Sequence, residues 1–214
     1  MDILESVVGF FQSGGFFMYP IVVVLALGMA ISIERYVYLT LARVSNQRVW
    51  NQVMPLLARG DYQRAVAIAE KSRAAIGRML SYGLARLRAS GHPEAVELAM
   101  EEGLMESLPR LEKRTHYVAT FANIATLLGL LGTIIGLIQA FTAVSKANPA
   151  EKADMLSASI SVAMNTTAFG LMVAIPLLLV YAVLQTKTTE LIDSLEMASV
   201  KFLNALTRNT GGQA

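Results

Sequence analysis

Three stretches of the chain carry no Asp, Glu, Lys or Arg: 28 residues between Glu5 and Glu34, 31 between Arg114 and Lys146, and 32 between Asp154 and Lys187. A hydrocarbon core of roughly 30 Å takes about 20 apolar residues in a helix rising about 1.5 Å per residue. Each stretch therefore holds one membrane span with length to spare, and none holds two spans and a turn. Buried helices of soluble domains usually keep such runs to about 10 to 14 residues. Composition agrees: of 214 residues 54% are hydrophobic and 16% charged, with a mean hydropathy of +0.49. That is too apolar for an ordinary soluble domain. The predicted fold is an all-α membrane protein with three transmembrane helices.

Basic residues predict the orientation. Residues 1–15 contain none, whereas the segment from Arg43 to Arg114 contains twelve. The link after the second stretch has Lys146 and Lys152, offset by Glu151 and Asp154, and the tail has Lys187, Lys201 and Arg208. The N-terminus and the link are thus expected outside, the middle segment and the tail in the cytoplasm. The expected layout is an outward-facing amphipathic segment over 1–15 and spans over 16–39, 117–145 and 157–186. A cytoplasmic helical segment fills 40–116, an outward-facing link 146–156 and a cytoplasmic helical tail 187–214, its end disordered. The first span lacks the positive n-region and the small-residue cleavage site of a signal peptide, so it is expected to be retained. With no cysteine, disulfides and thiolate metal sites are excluded.

The finer pattern is helical. Residues 2–13 fit a short surface helix with Phe10 and Phe11 towards lipid, broken by Gly14-Gly15. Tyr36 and Tyr38 suit an interface, where Glu34 and Arg35 mark the inner end of the first span as a boundary pair. Further on, Val53, Leu56 and Leu57 form a stripe ended by Arg59-Gly60. Asp61 can cap a helix in which Ala65, Ile68 and Ala69 repeat, and Ile76, Leu80, Leu84 and Leu87 continue that stripe. Gly91 and Pro93 break it. A helix then starts at His92-Pro93-Glu94 and runs from acidic to basic residues, as its dipole favours. Only Pro109 interrupts the way to the second span, so the two helices are expected to be nearly continuous. The third span is expected to project onward as one long helix.

Catalysis finds no support. His92 and His116 have neither a nucleophile nor a metal-ligand partner at useful spacing, and no nucleotide-binding motif occurs. The arginines of the middle segment lie on every helical face among acids, which argues against nucleic acid. Spans two and three are different. Gly132 and Gly136 form a G-x-x-x-G pair, with Thr126, Gly129 and Thr133 on the same small face. In span three, Ala163, Thr167, Gly170 and Ala174 make a second small face, and Asn165, Thr166 and Thr167 place three polar groups together. Helix packing explains small faces, while polar groups in hydrocarbon commonly line a bundle interior or cavity; both readings stay open. No span interior holds Asp, Glu, Lys or His, so a proton relay would need a carboxylate from a partner helix.

The run from Leu127 to Phe141, L-L-G-L-L-G-T-I-I-G-L-I-x-A-F, resembles the second-span signature of the MotA/TolQ/ExbB proton-channel family. Ile160 to Pro176, with T-T-A-F-G-L-M-V-A-I-P, resembles its third-span signature. Ile33-Glu34-Arg35 and Arg59-Gly60-Asp61 also match, and three spans suggest the ExbB/TolQ branch. The resemblance implies a homopentameric ring in the bacterial inner membrane around a dimer of a single-span ExbD/TolR/MotB-like partner bearing a membrane Asp. It implies no enzyme and no cofactor, only transported H+ or Na+, and maps ion-path threonines onto Thr133 and Thr167. Val162 stands where some members carry Glu. Thr166-Thr167 replaces the Ala-Thr of many proton-driven members and is similar to the paired threonines of sodium-driven stators, so Na+ at Thr133, Thr166 and Thr167 is the alternative to H+. A non-conducting membrane scaffold is the alternative to the motor.

Overall fold

The computed structural model describes residues 14–90, 92–146 and 148–211. The expected surface helix over 2–13 and the last three residues lie outside these. Among the described residues there is no strand, and the chain forms six helices: α1 (Met18–Ala58), α2 (Tyr62–Lys71), α3 (Ala75–Ser90), α4 (Pro93–Glu112), α5 (Thr115–Lys146) and α6 (Lys152–Gly211). Three regions are long and apolar enough to cross a membrane. Only 22–28% of each of their most apolar windows is buried within the chain, so most of that surface requires lipid or other subunits.

The chain divides into two compact units, the first comprising residues up to Glu34 with Arg114–Val183 and the second comprising Arg35–Lys113 with the residues from Leu184 onward. In the first unit the start of α1, all of α5 and the first half of α6 pack together. Its core is made largely of small residues: Ala122, Ala125, Ala140, Ala163 and Ala174 are all buried, beside Met18, Ile21 and Val118. Small side chains let apolar helices approach closely, which is how helices associate where lipid supplies no hydrophobic drive.

The second unit has larger core residues. Val53, Leu57, Met79, Leu80, Leu84, Met100, Leu195 and Phe202 are almost fully buried, as hydrophobic burial requires of a helical bundle in water. Asp61 caps α2 by accepting a hydrogen bond from the Arg64 backbone N–H at 3.2 Å. Asp61→Ala is expected to lower the unit's stability by about 1 kcal/mol, read as a fall in the thermal midpoint by circular dichroism. The apolar stripe of residues 65–87 is not one helix. It breaks at Ser72–Ala74, where the Ala74 N–H donates to Ser72 Oγ at 3.1 Å and the Ile76 N–H donates to Asn46 Oδ1 at 3.2 Å. Those side chains satisfy N–H groups that the first turn of α3 leaves without helical partners.

The join between α4 and α5 is nearly continuous, as expected, but the interruption is not where the proline suggests. Pro109 stays inside α4, and the break falls at Lys113–Arg114, with Arg114 in the left-handed region at φ 66°. A non-glycine residue there is uncommon and ends a helix as a glycine would. The third long helix is continuous as expected: α6 runs unbroken for 60 residues, through Pro176 and into the tail.

Outside the spans, Tyr82 donates to Glu106 Oε2 at 2.9 Å. That hydrogen bond to the carboxylate, and the carboxylate's charge, hold the phenol proton above the usual tyrosine range.

Candidate ion pathway

The two small faces read from the sequence meet along an antiparallel seam. A Cβ placed on Gly136 would lie 2.9 Å from Ala163 Cβ, one on Gly132 2.4 Å from Thr166 Cγ2, and one on Gly129 3.2 Å from Thr167 Cα. From the other side, a Cβ on Gly170 would lie 2.7 Å from the Ala125 carbonyl oxygen and 3.1 Å from Gly129 Cα. Two helix backbones therefore touch, and glycine is the side chain that permits it. Ala174, also predicted on this face, is buried. Thr126 is not on the seam. It is exposed and donates back to the Ala122 carbonyl, and Ala125 takes the contact position instead.

The hydroxyls are set by this packing. Thr167 Oγ1 donates across the seam to the Gly129 carbonyl at 2.8 Å. Thr133 is half-buried and donates to the Leu130 carbonyl of its own helix at 2.6 Å. Because Gly132 faces Thr166 and Gly129 faces Thr167, antiparallel pairing puts Thr133 within about one turn of both. Asn165, Thr166 and Thr167 do not share one face, since consecutive helical residues splay by about 100°. Thr166 is 2% exposed and donates to the Gly14 carbonyl ahead of α1, with a second contact to the Val162 carbonyl at 3.1 Å. Gly132 sits under it, close to Phe17 Cβ as well. Thr166 thus joins three segments, whereas Asn165 is half-buried.

A hydroxyl that donates to a carbonyl keeps its oxygen lone pairs as acceptors. The seam therefore carries hydroxyl oxygens within about one turn of one another and no group that titrates near neutral pH. Residues 117–145 and 155–186 contain no Asp, Glu, Lys, Arg or His. Among the described residues no three His, Cys, Asp or Glu side chains gather as a metal site.

Glu34 and Arg35 turn away from each other. Glu34 pairs with Arg114 at 3.7 Å, both about half exposed. Arg35 is 3% exposed, donates to the Leu111 carbonyl in the last turn of α4, and lies 4.7 Å from the Tyr38 ring centroid. A cation at a helix C-terminus is favourable. Sequence patterning missed this contact, as it did the carbonyl of Gly14, because both link residues far apart in the chain.

A profile of the MotA/TolQ/ExbB proton channel family matches residues 71–197. The chain belongs to this family. Its relatives in the family include a putative biopolymer transport protein ExbB-like 1 from Synechocystis sp., 33% identical over 86% of this chain and 72% of the relative. A putative biopolymer transport protein ExbB homolog from Methanothermobacter thermautotrophicus is 28% identical over 92% and 69%. The Tol-Pal system protein TolQ of Haemophilus influenzae is 31% identical over 54% and 50%. Membership with the ExbB/TolQ-like branch makes this a multi-pass membrane protein of a proton-channel motor family, whose members are channel or scaffold subunits and not enzymes.

Proposed function

We propose that this chain is the ion-conducting, multi-span subunit of a bacterial inner-membrane motor that couples H+ flow to mechanical work on a single-span partner. Five copies ring a dimer of an ExbD/TolR/MotB-like protein whose membrane Asp carries the proton. The N-terminus lies outside and the C-terminus in the cytoplasm, as the basic residues of 40–116 favour. One observation carries the reading: α5 and α6 carry hydroxyl oxygens within about one turn of each other along a seam whose spans lack any group that titrates near neutral pH. Such a wall can guide an ion but cannot hold a proton, so the carboxylate belongs to the partner. ExbB/TolQ family members work with ExbD/TolR-like partners, which supports that assignment.

A second reading has an observation of its own. Thr133, Thr166 and Thr167 all donate their protons to backbone carbonyls, leaving lone pairs for a ligand. Oxygen-only ligands suit a hard cation, so Na+ is the alternative ion. Liposomes holding this chain with its co-expressed partner decide the matter. Flux driven by a pH gradient, and absent without the partner, is the expected result. Flux that follows only sodium selects the second reading, and no flux in either gradient with a folded partner returns the chain to a scaffold.

A further inference from the structure

The second unit contains a cleft that the ion path does not use. It has a volume of about 240 Å³ and is lined by Arg73, Arg78 and Arg110, with the N-terminus of α3 at Ala74–Ala75. No Asp or Glu lines it. Arg78 is held by Glu106 at 3.6 Å, while Arg73 and Arg110 are exposed and have no ion-pair partner among the described residues. A further lining residue, Asn46, is 5% exposed. Its Oδ1 is occupied by the Ile76 N–H, and its Nδ2 is buried with no hydrogen-bond partner. A buried amide N–H₂ left unsatisfied is costly, and the partner it lacks is an acceptor.

A buried free donor and two guanidinium groups without an ion pair ask for the same ligand, an oxyanion, beside a helix N-terminus whose Ala74 and Ile76 N–H groups are already capped. The rim carries exposed Tyr38 and Leu41 of α1. They lie beside residue 39, the expected inner end of the first span, and Ser45 follows about 9 Å further along the helix. That is the depth at which lipid headgroups meet a helix leaving the bilayer.

We propose that this cleft binds a phosphate group, supplied by the headgroup of an anionic phospholipid. Arg73 and Arg110 pair with the phosphate oxygens, the Asn46 amide donates from below, and Tyr38 and Leu41 lie along the glycerol and first acyl carbons. The proposal needs only that α1 crosses a bilayer. It is independent of the ion pathway.

The test titrates the full chain, purified in neutral detergent, by calorimetry with either short-chain phosphatidylglycerol or inorganic phosphate. Arg73→Gln, Arg110→Gln and the double variant are run beside it. All three keep the native circular dichroism because both arginines are exposed. The expected result is saturable binding of phosphatidylglycerol, weaker binding of phosphate, and a loss of about tenfold per arginine removed. Phosphate binding as tightly as the lipid, with the same loss in the variants, would support the oxyanion site and overturn the lipid as its source. Absence of binding, or binding indifferent to both substitutions, would overturn the site itself. Neither result bears on ion flux, so failure here and failure of the motor reading are separable.

Discussion

Thr167→Val is expected to abolish ion flux in liposomes containing the co-expressed partner, and Thr133→Val to do the same, while the oligomer seen by native mass spectrometry stays as in the wild type. Valine nearly matches threonine in shape, so the seam still closes, but a methyl offers an ion no lone pairs. An ion that has left water has few substitutes for a lost oxygen ligand. Thr166→Val separates this effect from packing. Its hydroxyl is buried and bound to the Gly14 carbonyl, so its loss should cost stability, about 1–2 kcal/mol, more than it costs flux. Full flux in both the Thr133 and Thr167 variants would remove those residues from the pathway.

Gly170→Val is expected to separate α5 from α6 and to cost about 3 kcal/mol, the upper end for overpacking. Its Cβ would stand 2.7 Å from a carbonyl oxygen and 3.1 Å from an α-carbon, and neither atom can rotate aside. Gly83→Ala makes the comparison. There the closest atoms are Met100 Cγ at 2.5 Å and Sδ at 2.9 Å, the flexible part of an adaptable side chain. The gain in helix propensity, about 1 kcal/mol, offsets part of the shift that the buried Met100 must make, and that variant should lose less than Gly170→Val. Thermal unfolding in detergent reads both. An unchanged midpoint for Gly170→Val would mean that the seam does not hold the first unit together.

The contrast between those glycines shows what the sequence made legible. Membrane-length helices are visible because the absence of charge acts residue by residue and needs no partner. The G-x-x-x-G pair was legible for a similar reason, since two glycines four apart must lie on one face. Ala125 was not, because an alanine in an apolar helix looks the same whether it meets lipid or a backbone, and the polar Thr126 beside it drew the face one position round. The α2–α3 break has no glycine or proline to announce it; Ser72 and the distant Asn46 make it by capping. Arg114 in the left-handed region was equally hidden, because nothing in its neighbours asks for that backbone geometry. Arg35 read as a boundary marker, yet its buried contact with the Leu111 carbonyl is a tertiary fact. As for the hydroxyls, their identity was readable but not where each pointed, which depended on the contact between α5 and α6.

That contact also has an electrical meaning. Where backbones interlock through glycine, two helices cannot slide by small steps; the next fit is a whole turn away, about 5.4 Å. On the proposed pathway, an ion held by the seam's oxygens would therefore dwell at a fixed fraction of the voltage drop. One elementary charge crossing the full drop gains about 2.3 kcal/mol per 100 mV. A one-turn slip across a core of roughly 30 Å would shift that share by about a sixth, or ~0.4 kcal/mol per 100 mV. On the proposed pathway the glycines would thus act as a voltage divider, fixing how much of the membrane potential is spent on each side of the hydroxyls.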